Sequence, residues 1–552
     1  MAIPNTRRRE SIFDNPIGSF RGVNSLTRFA DSYSRSVNFH GNKIFESKLA
    51  GDRAYFDEDG EELVDPETFV PSRLGSKIST IFKPNLTSFG EFETGAGAGN
   101  GNGTGAGRTG SMYSFGSRLN PITSRTSLLS TGIKPPNDST FLKTIEDSNG
   151  KNITVIAGES TLPQTVFNSV NIMIGIGLLA LPLGLRHAGW MFGLPFLSLC
   201  AFSTFQTAEL LSKCMDTDAT LMTYADIGYA AFGVNARILI SFLFSIDLLA
   251  CGVSLIILFA DSLNALFPSI SVLRFKFVAF LILTPFTFMP LRVLSMFSLL
   301  GVMSTISVII TVISLGLTKS HLPGSLLEIM PTNIYPESFS GILISIGIIL
   351  SPFGGHSIFP NLRVDMRHPQ RFATNLKVTY AITFLADSTM AIIGFLMFGA
   401  TVKDEVTKSI LTTAGYPPFV YILISCFISL VPLSKTPLNA LPIVSMLDLI
   451  CDVNYNNFDL AKKSKFKVKF LRLFNRVLVN LAFVSISIVF PEFDRIIGVM
   501  GSSICFTVCL ILPCLFYMKL CNTTIRERII CWIVITTSAI LAVFGTYAAV
   551  AL

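Results

Sequence analysis

Charged residues are scarce in this chain of 552 residues. Asp, Glu, Lys and Arg together make up 14% of the sequence, whereas hydrophobic residues make up 50%. A chain of this length would otherwise suggest several soluble domains. The mean hydropathy of +0.57 excludes that interpretation, because it is typical of a protein that lies largely within a membrane.

Basic clusters and metal-binding spacings are also missing. The net charge of +7 is spread over the hydrophobic part of the chain, which excludes the exposed basic stripe that binds nucleic acid. All ten cysteines fall inside or next to apolar runs, without a Cys-x-x-Cys pair or a matching His cluster. We therefore predict no metal and no other cofactor. The spans contain no Gly-x-Ser-x-Gly or His-Glu-x-x-His motif, so an intramembrane enzyme is disfavoured.

The first 150 residues differ from the rest of the chain. They are rich in Ser, Thr and Gly, with the tract GAGAGNGNGTGAG at 95–107. Such a composition buries too little apolar surface to offset the entropy of ordering the chain. We predict a disordered tail over 1–150 and a transporter domain over 151–552. Short motifs at 8–11 and 127–129 match a basophilic kinase and a sorting adaptor, with a plain solvated linker as the alternative for each.

The remaining chain reads as a series of membrane spans. A bilayer core of about 30 Å needs about 20 apolar residues in a helix. Apolar runs bounded by charges or by Gly, Pro and Asn predict eleven spans, the fourth being the shortest: 163–185, 190–212, 238–262, 275–290, 293–317, 338–357, 373–399, 417–447, 472–490, 496–518 and 529–550. We therefore predict an all-α polytopic membrane protein with eleven transmembrane helices.

The orientation follows from the loop charges. Loops after even-numbered spans carry seventeen Lys and Arg residues, and loops after odd-numbered spans carry seven. Because Lys and Arg are retained on the cytosolic side, we predict a cytosolic N-terminus. An odd number of spans then places the C-terminus on the luminal side.

Two of the predicted spans are interrupted by glycine and proline. The first contains Ile-Gly-Ile-Gly at 174–177, and the sixth contains Ser-Pro-Phe-Gly-Gly at 351–355. Interrupted helices at corresponding positions of two halves indicate an inverted-repeat transporter with its site between the repeats. We predict two inverted repeats of five helices with discontinuous helices 1 and 6, a LeuT-like architecture, plus one extra C-terminal helix. Close helix packing is the alternative explanation of each glycine motif.

The two breaks suit a zwitterion. Half-helix N-termini offer free N–H groups to a carboxylate, and exposed carbonyls suit an ammonium. An amino acid carries both groups. The predicted substrate-binding residues are Asn171, Ile174, Gly175, Ile176, Gly177, Leu178, Ser351, Pro352, Phe353, Gly354 and Gly355.

Ionisable residues inside the spans are candidates for proton coupling. Each is costly at membrane depth unless it is paired or hydrated. Asp247 lies in span three and Lys435 in span eight, and His356 follows the break of span six. We predict a coupling role for these three, with a satisfied structural polar group as the alternative. Asp387 in span seven is a weaker candidate, and Glu209 lies close enough to the cytosolic end of its span to reach the interface.

The residues around the first break resemble a known family. TVFNSVNIMIGIGLLALPLGLRHAGW at 165–190, followed by TAELLSKC at 207–214, resembles the amino acid/auxin permease family, which has the eleven-helix version of the broken-helix fold. The resemblance covers about residues 160–552. Within the family, the long polar N-terminal tail and SPFGGHSIFPNLR at 351–363 are most similar to the fungal vacuolar branch related to vesicular inhibitory amino-acid carriers.

The resemblance implies a function. It implies exchange of neutral amino acids of the glutamine, leucine, isoleucine and tyrosine class against protons at the vacuolar membrane. Asp247 falls near the third-span acid of vesicular relatives. The sodium-coupled members have small hydroxyl residues in span eight that help to bind sodium, whereas this chain has Lys435 there. The resemblance therefore implies that the Lys435 ammonium replaces the sodium ion. The neighbouring hydroxyl residues Ser434 and Thr436 leave sodium binding as an alternative. The competing interpretations are a proton symporter that exports amino acids from the vacuole and a membrane amino-acid sensor with little flux.

Overall fold

The computed structural model describes residues 32–33, 141–146, 152–158, 160–218, 221–289, 291–451 and 465–551. Apart from one short hairpin and one isolated bridge, the regular structure of these residues is helical. The motifs at 8–11 and 127–129 lie outside the described residues. The structure is therefore that of an all-α polytopic membrane protein.

The structure describes parts of the predicted tail. Strand β1, Phe141–Glu146, pairs antiparallel with β2, Asn152–Ala157. Both strands are rich in β-branched residues, and the connecting sequence contains Asn-Gly, which favours hairpins. Ser32 and Tyr33 form a helical turn that is buried against the transporter domain. The disordered tail over 1–150 stays a prediction; within that range the structure describes the helical residues 32–33 and strand β1.

Fifteen α-helices are present in the described residues. In chain order α1 to α15 are Leu162–Met173, Gly177–Met215, Tyr224–Phe232, Val234–Leu266, Val272–Phe286, Leu291–Thr318, Phe339–Leu350, Phe359–Val364, Phe372–Phe398, Val406–Leu411, Pro418–Ile450, Lys465–Val489, Phe493–Val499, Leu512–Leu520 and Ile525–Ala551. A π-helical segment, Met500–Ile511, joins α13 to α14.

Eight helical segments of the described chain are long and apolar enough to cross a membrane, and Phe339–Phe353 is a shorter apolar helix. These eight occupy the second, third, fifth and seventh to eleventh predicted spans. The first and sixth predicted spans are divided by their breaks, and α5 in the fourth is short. The number of eleven spans therefore stays a prediction. Exposed apolar side chains such as Phe202, Leu281 and Val543 cover the outer helix faces, as is typical of helices that contact lipid.

The first span is built from two helices. Thr161 and Gln164 form a capping box at the start of α1, which is a strong helix-initiation signal. The helix ends at Met173, and the backbone is extended at Ile174 before α2 begins at Gly177. Gly189 turns the chain inside α2 with φ +66°, a conformation that favours glycine. The span therefore has a real break at 174–176.

The sixth span is interrupted as well. Helix α7 starts at Ser338, whose hydroxyl accepts a hydrogen bond from Gly341 N at 3.0 Å. A 3-10 turn, Ser351–Phe353, ends it, and α8 begins only at Phe359. Gly347 of α7 lies against the backbone of Gly498 and Gly501, where an added Cβ would meet carbonyl oxygens. This span is thus held by direct backbone contact with the tenth.

Candidate functional site

The structure brings the two breaks together. A Cβ added at Gly177 would lie 2.7 Å from Ser351 Oγ and 3.1 Å from Pro352 N. Of the eleven predicted substrate-binding residues, Gly175, Ser351 and Gly354 are partly accessible and the other eight are buried. The two breaks therefore face one another, and the three partly accessible residues are the ones that a small ligand can touch.

Lys435 lies at the break of the first span. Its Nζ donates hydrogen bonds to the carbonyls of Ile174 at 2.8 Å and Asn171 at 3.1 Å. These carbonyls are free because a helix leaves its last C=O groups without intrahelical partners, and the helix dipole favours a cation there. An added Cβ at Gly175 would still be 3.9 Å from Nζ. The amine thus occupies a cation position beside an accessible glycine.

Asn171 extends this polar arrangement. Its Nδ2 donates to Ser298 Oγ at 2.7 Å, while no described residue hydrogen-bonds its Oδ1. Ser298 lies in α6 and is fully buried. The sequence did not single out Ser298, because a lone serine in an apolar span carries no local signal.

The break of the sixth span is closed by packing. Ser351 Oγ donates to the carbonyl of Ile348 at 2.9 Å within its own helix. An added Cβ at Gly354 would lie 3.1 Å from Cys505 Sγ, and one at Gly355 would lie 2.8 Å from the Phe359 ring. Phe353 is fully buried and stacks on Tyr380 at 6.4 Å between ring centroids. Of residues 351–355 at this break, only Ser351 and Gly354 are partly accessible.

His356 has the environment of a structural histidine. Its side chain is fully buried. Nε2 donates to the carbonyl of Thr204 at 3.0 Å and also faces the Thr207 hydroxyl at 3.0 Å. The ring packs on Phe359 with 5.4 Å between centroids, and the Cys509 thiol lies beside it. These contacts hold the second span to the sixth.

Asp247 and Lys435 do not form an ion pair. Asp247 lies on α4, is partly exposed, and has no hydrogen-bond partner among the described residues. Cys251, one turn further along α4, is within electrostatic range of both Asp247 and Lys435. The two ionisable groups therefore lie near the same cysteine without touching.

A polar stripe on α9 was missed by the sequence interpretation. Asn375, Thr379, Thr383 and Asp387 follow one another every fourth residue, so they share one helix face, and all four are fully buried. No described residue hydrogen-bonds either carboxylate oxygen of Asp387. Asn375 Nδ2 donates to Ser169 Oγ at 3.1 Å. The four-residue spacing is the sequence signal that would have found this stripe.

The position of Asp387 along the membrane follows from two contacts of α9. Near its start, Asn375 meets Ser169 of α1; near its end, an added Cβ at Gly394 would lie 2.9 Å from Cβ of Pro182 in α2. Asp387 lies between these two contacts, roughly level with the break of the first span. Among the described residues no group of three or more His, Cys, Asp or Glu is arranged to hold a metal ion.

Comparisons with known proteins agree with this architecture. Amino acid transporter AVT1E of Arabidopsis thaliana is 29% identical over 408 residues, covering 71% of this chain and 73% of that protein. Amino acid transporter AVT1B of the same plant is 29% identical over 413 residues, covering 72% of each chain.

Solved structures are similar at lower identity. The transporter MHP1 of the nucleobase-cation-symport-1 family, with bromovinylhydantoin bound, has a TM-score of 0.46 and 13% identity, covering 71% of this chain and 91% of that one. MhsT in complex with L-phenylalanine has a TM-score of 0.43 and 11% identity, covering 70% and 98%.

A family model supports the resemblance seen in the sequence. The model described as "Transmembrane amino acid transporter protein" matches residues 158–551. The match begins after the tail and includes both breaks and Lys435. This chain therefore belongs to the transmembrane amino acid transporter family, as the resemblance to amino acid/auxin permeases predicted.

Proposed function

We propose that this protein is a secondary active carrier that moves neutral amino acids into the vacuole in exchange for protons. The observation that carries the proposal is the Lys435 amine, which donates to the free carbonyls of Asn171 and Ile174 at the break of the first span. A cation built into the protein at this point removes the need for a bound metal cation. It also supplies a group that can gain or lose a proton during the cycle.

The substrate lies between the two breaks in this proposal. Its carboxylate faces the N–H groups that open α2 around Gly177, where the positive end of the helix dipole favours an anion. Its ammonium faces the carbonyl end of α7 near Ser351. The partly accessible Gly175 and Gly354 let the backbone approach the ligand, and the apolar residues Ile174, Ile176, Leu178, Pro352 and Phe353 shape its surroundings.

Proton coupling involves Lys435 and Asp247. The two lie on α11 and α4, which pack against each other, and Cys251 lies near both. Substrate binding and the alternation of the two repeats change the hydration of these groups, and hydration decides which protonation state is favoured. His356, the third predicted coupling residue, has the weakest support, because its Nε2 is engaged by Thr204 and Thr207.

A charged cluster lies on the predicted luminal side. Glu405 lies outside the candidate spans and is 2% exposed. Burial, assisted by nearby Asp261, raises the pKa of Glu405 to about 8. Lys408 pairs with Asp261 at 2.8 Å and with Asp404 at 3.0 Å rather than with Glu405. A carboxyl with this pKa is protonated at neutral pH and in an acidic lumen alike.

Two further observations bear on the substrate class and on the orientation of the protein in the membrane. The relatives are named amino acid transporters, which supports the substrate class. The orientation predicted from loop charge places the tail in the cytosol. A symporter that exports amino acids would use the same site with the opposite linkage, so only a flux measurement separates the two.

The test is uptake of radiolabelled glutamine and leucine into liposomes that contain the purified full-length protein, oriented with the tail outward. The internal pH is set below, equal to and above the external pH. Concentrative uptake into acidic liposomes that a protonophore abolishes is the expected result. Accumulation with the acid outside would make the protein a symporter, and binding without flux in every arm would make it a sensor.

A further inference from the structure

Ser32 of the tail is buried among residues of the transporter domain. Its side chain has no exposed area. Ser32 Oγ lies 2.5 Å from Ser160 Oγ, accepts from Asn168 Nδ2 at 2.8 Å, and lies 3.5 Å from Asp365 Oδ2. Ser160 in turn donates to Asp365. The hydroxyl thus joins the start of the first span to the segment that follows the sixth.

Tyr33 lies deeper than Ser32. The side chain is 8% exposed and packs on Leu294 of α6 and Leu438 of α11, with Ile172 of α1 beside it. Its phenol lies near Ser298. A tyrosine buried between three helices is a typical anchor, because a large ring is ordered at low entropic cost.

The tyrosine reaches the network of the first break. Ser298, its neighbour, accepts from Asn171 Nδ2 at 2.7 Å. The Asn171 carbonyl accepts from Lys435 at 3.1 Å. Tyr33 is therefore connected to the proposed cation position through two intervening side chains.

All of these contacts lie toward one side of the membrane. They come from the start of the first span, the start of the fifth, the segment after the sixth and the second half of the eighth. Each of these ends is cytosolic in the orientation predicted from loop charge. The groove around Tyr33 is therefore the cytosolic mouth of the proposed substrate path, and its occupant is a segment of the same chain.

We infer that Ser32 and Tyr33 form an autoinhibitory plug, which docks in the cytosolic mouth between α1, α6 and α11 and must leave before substrate can enter. This inference rests on the proposed carrier function. Alternating access requires one group of helices to rock against another, and a ring wedged between Ile172, Leu294 and Leu438 opposes that movement. Tethering by the intervening tail keeps the plug at a high effective concentration, so modest contacts suffice.

The first experiment measures initial uptake rates in liposomes with full-length variants. Ser32→Glu places a carboxylate beside Asp365 and overfills a buried site; Tyr33→Ala removes the anchor. If the tail is docked in about two thirds of the molecules, about one third of them can transport at any time. Releasing the tail in either variant should therefore raise the initial uptake rate roughly threefold, and more if docking is tighter. Tyr33→Phe keeps the ring packing and loses only the hydroxyl near Ser298, so its rate should rise less.

The second experiment measures docking without transport. A fluorescent peptide of residues 22–43 is added to the full-length Ser32→Glu, Tyr33→Ala double variant, whose own tail no longer competes. We expect the anisotropy to rise on binding, and uptake by the double variant to fall back toward the wild-type rate. A peptide with the same two substitutions and a peptide of scrambled order are the controls.

The two readouts separate this inference from the proposed function. Specific peptide binding to a protein that shows no flux would support the docking and overturn the carrier. Normal flux with unchanged rates in both variants, and no difference in binding between the native and scrambled peptides, would overturn the plug while the carrier stands.

Discussion

The two breaks differ in backbone and in chemistry: the first is a short extended stretch, and the second contains a 3-10 turn. At the first break, the Lys435 amine of α11 donates to the carbonyls of Asn171 and Ile174. A Cβ added at Gly175 would still lie 3.9 Å from this amine. At the second, Ser351 bonds its own helix, and Gly354 and Gly355 are in contact with Cys505 and Phe359. Of the two breaks, the first alone has a basic side chain bonded to its backbone among the described residues, that of Lys435.

This difference suggests a division of roles. The first break is the one that can sense a cation or a proton, because its carbonyls are already engaged by a titratable group. In the proposed function, the second break provides a surface against which the substrate is held, and Gly347 of the same span is in backbone contact with the tenth span. We therefore expect substitutions at the two breaks to impair transport in different ways.

The largest effect is expected at the point where the breaks meet. Gly177→Val would place its Cβ 2.7 Å from Ser351 Oγ and 3.1 Å from Pro352 N, so the breaks would be forced apart. We expect amino-acid binding to fall below detection in equilibrium binding with radiolabelled leucine. Gly175→Ala is the matched control, since its nearest neighbour would be 3.9 Å away. Loss of thermal stability with intact binding would show that Gly177 serves packing alone.

Loss of coupling without loss of exchange is expected from Asp247→Asn. The substitution keeps the size of the side chain and removes its ability to carry a proton. We expect proton-driven accumulation to disappear while exchange of labelled for unlabelled substrate continues, as measured in liposomes with and without a pH gradient. Wild-type accumulation in this variant would contradict a coupling role for Asp247.

His356 should behave as a structural residue. His356→Ala removes the hydrogen bonds to Thr204 and Thr207, and leaving buried acceptors unpaired costs about 1 to 3 kcal/mol of stability. We expect a lower thermal unfolding temperature in detergent and an unchanged ratio of proton-driven accumulation to exchange. A changed ratio at unchanged stability would restore His356 to the coupling residues.

The smallest effect is expected from Glu405→Gln, which should change the pH dependence of thermal stability. Its pKa is raised by burial from 4.5 to about 8, so the folded protein binds more protons than the unfolded chain between these values. Stability contributed by this group is therefore complete in acid and is lost as the pH rises through about 8. Glu405→Gln should flatten the fall in thermal stability between about pH 4.5 and about pH 8. An unchanged pH profile in the variant would exclude Glu405 as its source.

Much of the fold could be predicted from local sequence. Apolar runs of sufficient length gave the spans, and the glycines and prolines at 174–177 and 351–355 gave the breaks, because both signals act within one helix. The hydrogen bonds of Lys435 to Asn171 and Ile174 join residues more than 260 positions apart. No pattern in either segment indicates which carbonyls the amine will meet, and the same holds for Ser298 and Tyr33.

The contacts between the tail and the helices could not be predicted from local sequence either. Composition distinguishes a polar region from an apolar one, but it does not indicate that Ser32 and Tyr33 contact Asn168, Leu294 and Leu438. A segment whose contacts lie in a distant groove has no local signature. Its discovery requires the assembled helices.

The most direct test of the central claim is Lys435→Met, which keeps the length of the side chain and removes the amine. Counterflow of labelled leucine and accumulation driven by an acidic interior are measured on the same liposomes. Wild type should show both, and the variant should retain counterflow while its accumulation no longer responds to the pH gradient. Accumulation by Lys435→Met with the wild-type dependence on pH would contradict the account, because the cation at the first break would then be dispensable for coupling.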